Sequence, residues 1–551
     1  EKSAFDADGK ISPHIVREPR NNACLECHAQ PGWKKRGANF SIRTDVHLRA
    51  GLKCVDCHPA GSKARDARIN EKEMHQFGKG DDPGGLVRND LDNTVLDCDD
   101  CHSNGYLGAP IAKHAWLPPL HLDKIACQTC HIPERAVKPA QFQASDVFNP
   151  GVKIPSKGKY LWVFYGPDMQ YYNHYGNLEM MGFDDKPTDP FKPVLANYKG
   201  KIYPVNRVHS AWPGIEDEGK QGLMQPLMSD IYKMWTTHFK DTTKYPELAK
   251  ITDDNGDGVI EVNRSEEIDA LIAAVTSMLK ETKYPMEGKW VVWAMNDRIY
   301  RSGTEFYIIP KEEWEASPYA NVHKYSHDVY PANAALGING CSDCHGSESP
   351  FFFASVMQYP FDEKAAPVAM SQHRIMGISG LQATLGVWRE TYLKSIFYFL
   401  LIVFGCALIG WGYQALVEKQ GDQLPPWLRC RYLPILIAVG TLVVAMIILS
   451  QGQLAKYSLP SRFWLDANHF FISMIALGIS FVTLAFDGKK KNWLLIVFFI
   501  AAISGGIMLI KLPWISLINR ISYSVFDLSL VILTIGMIWF ALKKISFEQR
   551  K

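Results

Sequence analysis

Cys-x-x-Cys-His occurs five times in this chain and takes ten of its twelve cysteines. The copies are Cys24, Cys27 and His28; Cys54, Cys57 and His58; Cys98, Cys101 and His102; Cys127, Cys130 and His131; and Cys341, Cys344 and His345. In a c-type haem site the two thiols form thioethers with the porphyrin, and the histidine that follows them falls under the iron as a ligand. One copy would also suit a zinc half-site or a redox dithiol. Five copies with the histidine in the same place make those readings poor, so the expected cofactors are five covalently attached haem c groups. Four of the motifs fall within residues 24–131. So little chain per haem cannot build an ordinary core, and short helices and loops wrapped round the porphyrins are expected, with few strands.

The chain has 551 residues, enough for several domains. Its formal charge of +2 carries no signal about partners, and no basic run points to nucleic acid. It begins at Glu1 rather than Met, as a mature protein does after signal-peptide removal. Covalent haem attachment takes place outside the cytoplasmic membrane, so export is expected, with the cysteines committed to haem rather than to disulfides. The expected organisation is a four-haem region over 1–140, a haem-free insert over 141–320, a fifth-haem region and linker over 321–390, and a membrane domain over 391–551.

The last part is dominated by apolar runs, near 394–416, 433–451, 468–486, 493–511 and 524–542. Each has roughly the 17–25 residues a helix needs to cross a bilayer, and the fold class expected here is an all-α bundle of five transmembrane helices. Lys419, Arg429, Arg431, Lys489, Lys490, Lys491, Lys543, Lys544, Arg550 and Lys551 flank one side of such a bundle, against Lys456, Arg462, Lys511 and Arg520 on the other. The positive-inside rule then puts the haem region outside, in the periplasm of a bacterial-type cell, and the C-terminus in the cytoplasm. A b-type haem in the bundle would need two axial ligands, but the only histidine after His373 is His469. Arg462, Asp466, His469, Lys511 and Asp527 gather near the outer ends of the spans. They read either as interfacial anchors or as a quinone site, in which Asp466 or His469 takes the quinol proton. Cys406 and Cys430 read as small packing residues of the bundle.

Twelve histidines lie outside the motifs. His14, His47, His75, His114, His121, His323 and His327 lie within or beside the haem segments and are the candidate second ligands of the irons. The alternative for each is a structural or surface histidine, and sequence assigns no pairing. The insert holds many aromatics, among them Tyr171, Tyr172, Trp235, Trp290 and Trp293, read mostly as core. Within it, Asp253, Asn255, Asp257, Val259 and Glu261 resemble a calcium-binding EF-hand loop, although Arg264 stands where a bidentate Glu is required. An Asx-rich turn is the alternative. A helix should follow, capped by Asn263 with Glu266, and with Ile268, Leu271, Ile272, Val275 and Leu279 on its apolar face.

These motifs identify the chain with the multihaem cytochrome c superfamily. The stretch Ile125–Pro133, with His114 and His121 just before it, is similar to octahaem tetrathionate reductase-type cytochromes. The five motifs and the apolar C-terminal part depart from that pattern. By arrangement the chain also resembles membrane-anchored quinol-oxidising cytochromes. The resemblance implies periplasmic multihaem electron transfer. The expected function is that of a respiratory-complex subunit passing electrons between the membrane quinone pool, with menaquinol the expected quinol, and a periplasmic redox partner. The motif nearest the membrane in sequence, Cys341–His345, is the expected point of exchange with the quinone. A periplasmic reductase of a sulfur or nitrogen oxyanion is the alternative, and a passive conduit on a membrane anchor is a third reading.

Overall fold

The computed structural model describes residues 18–28, 42–59, 96–135, 192–303, 322–359, 368–420, 468–486, 492–509 and 516–548, apart from short breaks within them. It also describes 7–11, the strand pieces 142–144, 163–165, 171–172 and 307–308, and residue 423.

The haem motifs lie on short helices: the first ends the two-turn helix Asn21–His28, and the others fall on the single turns Cys54–Cys57, Cys98–His102, Cys127–His131 and Ser342–His345, with His58 and Cys341 at the flanks of theirs. Positions three and four apart share one helix face, so a turn such as Cys98–His102 or Cys127–His131 carries both thiols and the histidine on one side. Isolated turns this short do not hold themselves, and local caps support them. Asp97 accepts from the Cys98 amide at 2.8 Å, while Asp100 accepts from the Asp97 amide at 2.8 Å. Asp56 does the same for Lys53 at 2.7 Å. Among the described residues up to Arg135 there is no strand.

The insert has a core of its own. Strand His209–Asp217 pairs antiparallel with Lys289–Met295, in register from Ala211↔Met295 to Asp217↔Lys289. On its other edge it pairs in parallel with Phe142–Ala144. These strands belong to an eight-stranded sheet, an element the sequence reading did not contain. Helix Ser265–Glu281 shares a core with it through Ile268, Leu271, Ala274, Val275 and Met278, together with Ile215 and Trp293 of the sheet and Ile231 and Met234 of helix Met228–Lys240. Trp293 is therefore core. The helix cap lies one residue later than expected. Arg264 occupies the cap position, and buried Glu267, not Glu266, accepts from the Arg264 amide at 3.2 Å. That bond commits the Glu267 carboxylate to the helix start.

A smaller sheet, with strands Val194–Tyr198, Lys201–Arg207 and Val322–Lys324, seats the fourth motif. Ile202 O accepts from the Ala126 amide at 2.9 Å and from Thr129 Oγ1 at 2.7 Å.

After the fifth motif, helix Gly380–Trp388 runs through a π-helical turn, Arg389–Leu393, into helix Lys394–Gln420. Further apolar helices are His469–Phe486, Asn492–Leu509 and Ser516–Glu548. They share a core built on Phe397, Phe404, Leu477, Leu494, Phe526, Leu530 and Met537. Two helices are long and apolar enough to cross a membrane, Gly380–Gln420 and Ile521–Lys543. His469–Ser480 and Trp493–Met508 are apolar but shorter. The expected five-helix bundle is thus reduced to two full-length candidates among the described residues, and the run near 433–451 lies outside them.

Candidate functional site

Among the described residues, four motif histidines each face a second imidazole. His102 faces His47 with ring centroids 6.1 Å apart, and His58 faces His327 at 6.1 Å. His131 faces His114 at 6.1 Å, and His345 faces His121 at 6.0 Å. Two imidazoles bonded through nitrogen to one metal ion at about 2 Å each hold their ring centroids about 6 Å apart. The residues therefore fit an iron between each pair, with the thiols of the motif alongside for the porphyrin.

Burial is the leading cause of depressed pKa values here. It pushes His327 and His345 down to about 3 and His121 down to about 4. These imidazoles stay neutral, which is the ligating form. His102 Nδ1 lies 2.7 Å from Pro110 O, which fixes the ring by its far nitrogen and leaves Nε2 for the metal. His114 holds its backbone at φ 35°, a conformation uncommon outside glycine.

The motifs follow one another in space as they do in sequence. The Cys54 amide donates to Asn21 Oδ1 of the first motif helix at 2.9 Å. Leu96 N, two residues before the third motif, donates to Cys57 O at 2.9 Å. Gln128 of the fourth motif reaches Asp97 at 3.3 Å, and the thiols of Cys98 and Cys127 are within hydrogen-bonding contact. Leu336 N, leading to the fifth motif, donates to Cys130 O at 2.8 Å.

The fifth motif closes on the apolar helices. Lys394 Nζ lies 3.6 Å from Cys341 Sγ, and Leu120, next to His121, packs on the apolar-helix core. Beside it runs a buried polar chain. Lys394 pairs with Glu390 at 2.6 Å, and Glu390 also pairs with Arg389. Arg389 Nε lies 3.7 Å from Asp527 Oδ2. Asp527 Oδ1 is 2.7 Å from His469 Nε2, and His469 Nδ1 is 2.9 Å from the Tyr398 hydroxyl. With Asp527 accepting from Nε2–H, the His469 Nδ1 lone pair accepts from Tyr398. Glu390 is 1% exposed, Asp527 2% and His469 8%. The turn that supplies Arg389 and Glu390 is π-helical, a rare form that is frequent at functional sites.

Of the seven candidate second ligands, His47, His114, His121 and His327 thus face motif histidines. His323 lies in the small sheet opposite Asn206. His14 and His75, and the side chains of His28 and His323, lie outside the described residues. Of the candidate quinone residues, His469 and Asp527 are brought together, whereas Arg462, Asp466 and Lys511 lie outside the described residues. So do Asn255, Asp257, Val259 and Glu261 of the calcium loop. Sequence reasoning missed Arg389, Glu390, Lys394, Tyr398 and Tyr523. Arg389 lies 5.0 Å above the Tyr523 ring. The available signal was the Glu390/Lys394 pair one helical turn apart at the head of an apolar run.

Residues 38–132 match the family of cytochrome c7 and related cytochrome c. Residues 2–59 match the cytochrome c554 and c-prime family. Together the two matches cover the first four motifs, and neither is to the octahaem tetrathionate reductase-type cytochromes. No curated protein and no solved structure matches the chain. The matches and the facing histidines support a multihaem c-type cytochrome, a class whose work is electron transfer.

Proposed function

We propose that the chain is a membrane-bound pentahaem cytochrome that exchanges electrons between the quinone pool and a periplasmic redox partner, as a subunit of a respiratory complex. The observation that carries this reading is the contact of the fifth motif with the buried chain Lys394–Glu390–Arg389–Asp527–His469. A soluble carrier has no use for ionisable groups held among apolar helices, where they are costly and tend to be functional.

Haem c would be held by each motif, at four of them with a facing histidine, and supplies one-electron exchange when bound. The chain's own residues handle the protons. His469 has a carboxylate on one ring nitrogen and a hydroxyl on the other. A quinol hydroxyl that replaces Tyr398 at Nδ1 meets a lone pair oriented by Asp527, and its proton passes to His469. Arg389 stabilises the Asp527 carboxylate that holds the ring. Oxidation of one quinol releases two electrons and two protons, so the relay turns over twice per quinol. The reading takes the other apolar runs as further spans, with the haem region outside and the C-terminus in the cytoplasm. It keeps Arg462, Asp466 and Lys511 as further candidates for the quinone site, and Asp253, Asn255, Asp257, Val259 and Glu261 as a structural calcium loop.

The alternative, an oxyanion reductase, needs an iron with a free coordination position. At four of the five motifs the second imidazole is already in place.

The test is anaerobic mixing of the purified, haem-loaded chain with a menaquinol analogue while the reduced c-haem band is followed. Prompt reduction, slowed about 100-fold or more in His469→Ala, is the expected result. Equal rates in the parent, His469→Ala and Asp527→Asn would remove the quinone site from this cluster.

A further inference from the structure

We propose that Asp45, backed by Asp328 and Arg135, is a shared positioning residue that sets the second imidazole at two haem sites at once, His47 opposite His102 and His327 opposite His58. The inference rests on the haem sites alone and is independent of any quinone chemistry.

Asp45 is 3% exposed. Its Oδ1 accepts from the His47 amide at 2.8 Å and from the Leu48 amide at 3.3 Å, capping the short turn Val46–Arg49. The same oxygen lies 3.3 Å from His47 Nδ1, on the side of the ring away from a metal-ligating Nε2. Its Oδ2 turns the other way and accepts from the Val329 amide at 3.1 Å. Val46 N donates back to Val329 O at 3.0 Å. One carboxylate therefore clasps two segments 284 residues apart, each carrying the second ligand of a different motif.

The far segment is itself braced. Asp328 has its backbone at φ 65°. Its Oδ1 accepts from Thr44 Oγ1 at 2.8 Å, and its Oδ2 pairs with Arg135 at 2.7 Å. Arg135 is 2% exposed, with its guanidinium 4.0 Å from the centroid of the Tyr325 ring. Arg135 follows the fourth motif closely, and the Tyr330 amide donates to His131 O at 2.7 Å. The loop that bears His327 is thus fixed to the fourth motif on one side and to the His47 turn on the other.

The chemistry of the carboxylate makes the proposal specific. Two acceptor oxygens serve two sets of N–H donors. Asparagine offers one acceptor oxygen, so it can hold one segment and must release the other. Alanine holds neither. Hydrogen-bond partners on the far nitrogen of ligating histidines act in this way on ring orientation.

The experiment uses the full haem-loaded chain and reads spin state by electron paramagnetic resonance and magnetic circular dichroism, with haem content per chain measured separately. The references are His47→Ala and His327→Ala, each of which marks one site. In Asp45→Ala the expected result is high-spin signal at both marked sites, with haem content and the other haems as in the parent. Asp45→Asn should show high-spin signal at one of the two. Added imidazole should return both variants to low-spin. Should Asp45→Ala fail to accumulate, Asp45→Asn and Asp328→Asn carry the test. Spin-state spectra and haem potentials matching the parent in these two would overturn the proposal. High-spin signal spread over all sites would also overturn it, because it would mean general loosening of the fold.

Discussion

At the scale of the residue, the facing histidines carry the account, and their ring angles divide them into two kinds. His58/His327 and His121/His345 are nearly parallel, at 19° and 18°. His47/His102 and His114/His131 are steeply crossed, at 63° and 74°. Ring orientation sets how the ligands split the iron orbitals, so the oxidised protein should give two classes of low-spin resonance, one rhombic and one strongly anisotropic. A single class would contradict the ring geometry. A second prediction concerns Gly386. A Cβ there would stand 2.9 Å from His345 Nδ1, closer than side chains tolerate. Gly386→Ala should therefore tilt the His345 ring. It should cost about 1–3 kcal/mol in thermal unfolding and shift the potential of one haem while the others hold. An unchanged set of potentials would show that the helix yields instead.

At the scale of the element, the π-helical turn Arg389–Leu393 joins the haem region to the apolar helices. Glu390 lies between two cations, and its neutralisation would take the carboxylate from buried Lys394 and leave Arg389 with Asp527 alone. Breaking a buried pair by removing one partner costs about 3–5 kcal/mol. Glu390→Gln should lower the unfolding midpoint of the detergent-solubilised protein, and a midpoint equal to the parent's would mean that water screens the cluster. This element also shows what sequence reading reaches. The five motifs are legible because bond chemistry fixes their spacing. The candidate histidines are legible because imidazole is the ligand an iron needs. The pairing is illegible, because contacts such as Thr44–Asp328 set it across hundreds of residues. The Arg389/Glu390/Lys394 cluster was hidden for a different reason. Charges at the head of an apolar helix look like interfacial anchors until the fold brings Cys341 against them. The eight-stranded sheet escaped notice because several of its strands are only two or three residues long, too short for an alternating pattern to register.

At the scale of the whole molecule, the motifs form a series whose order in space follows the sequence and whose last member lies against the apolar helices. Within the haem-free stretch, the helix Ser265–Glu281 keeps a core apart from the small sheet that seats the fourth motif. Leu271→Ala, at a fully buried position of that helix, should cost about 2–5 kcal/mol in local unfolding and leave the haem spectra as they are. Altered haem spectra in that variant would show that the insert supports the haem sites. The central claim, that this chain connects a membrane quinone to an acceptor outside, is tested most directly in proteoliposomes. The bilayer would hold a menaquinol analogue, and a membrane-impermeant oxidised acceptor would be added outside. The account predicts reduction of the acceptor at a rate that falls in His469→Ala and is lost in His345→Ala. Acceptor that stays oxidised with quinol, yet is reduced when the haems are first reduced with dithionite, would contradict it.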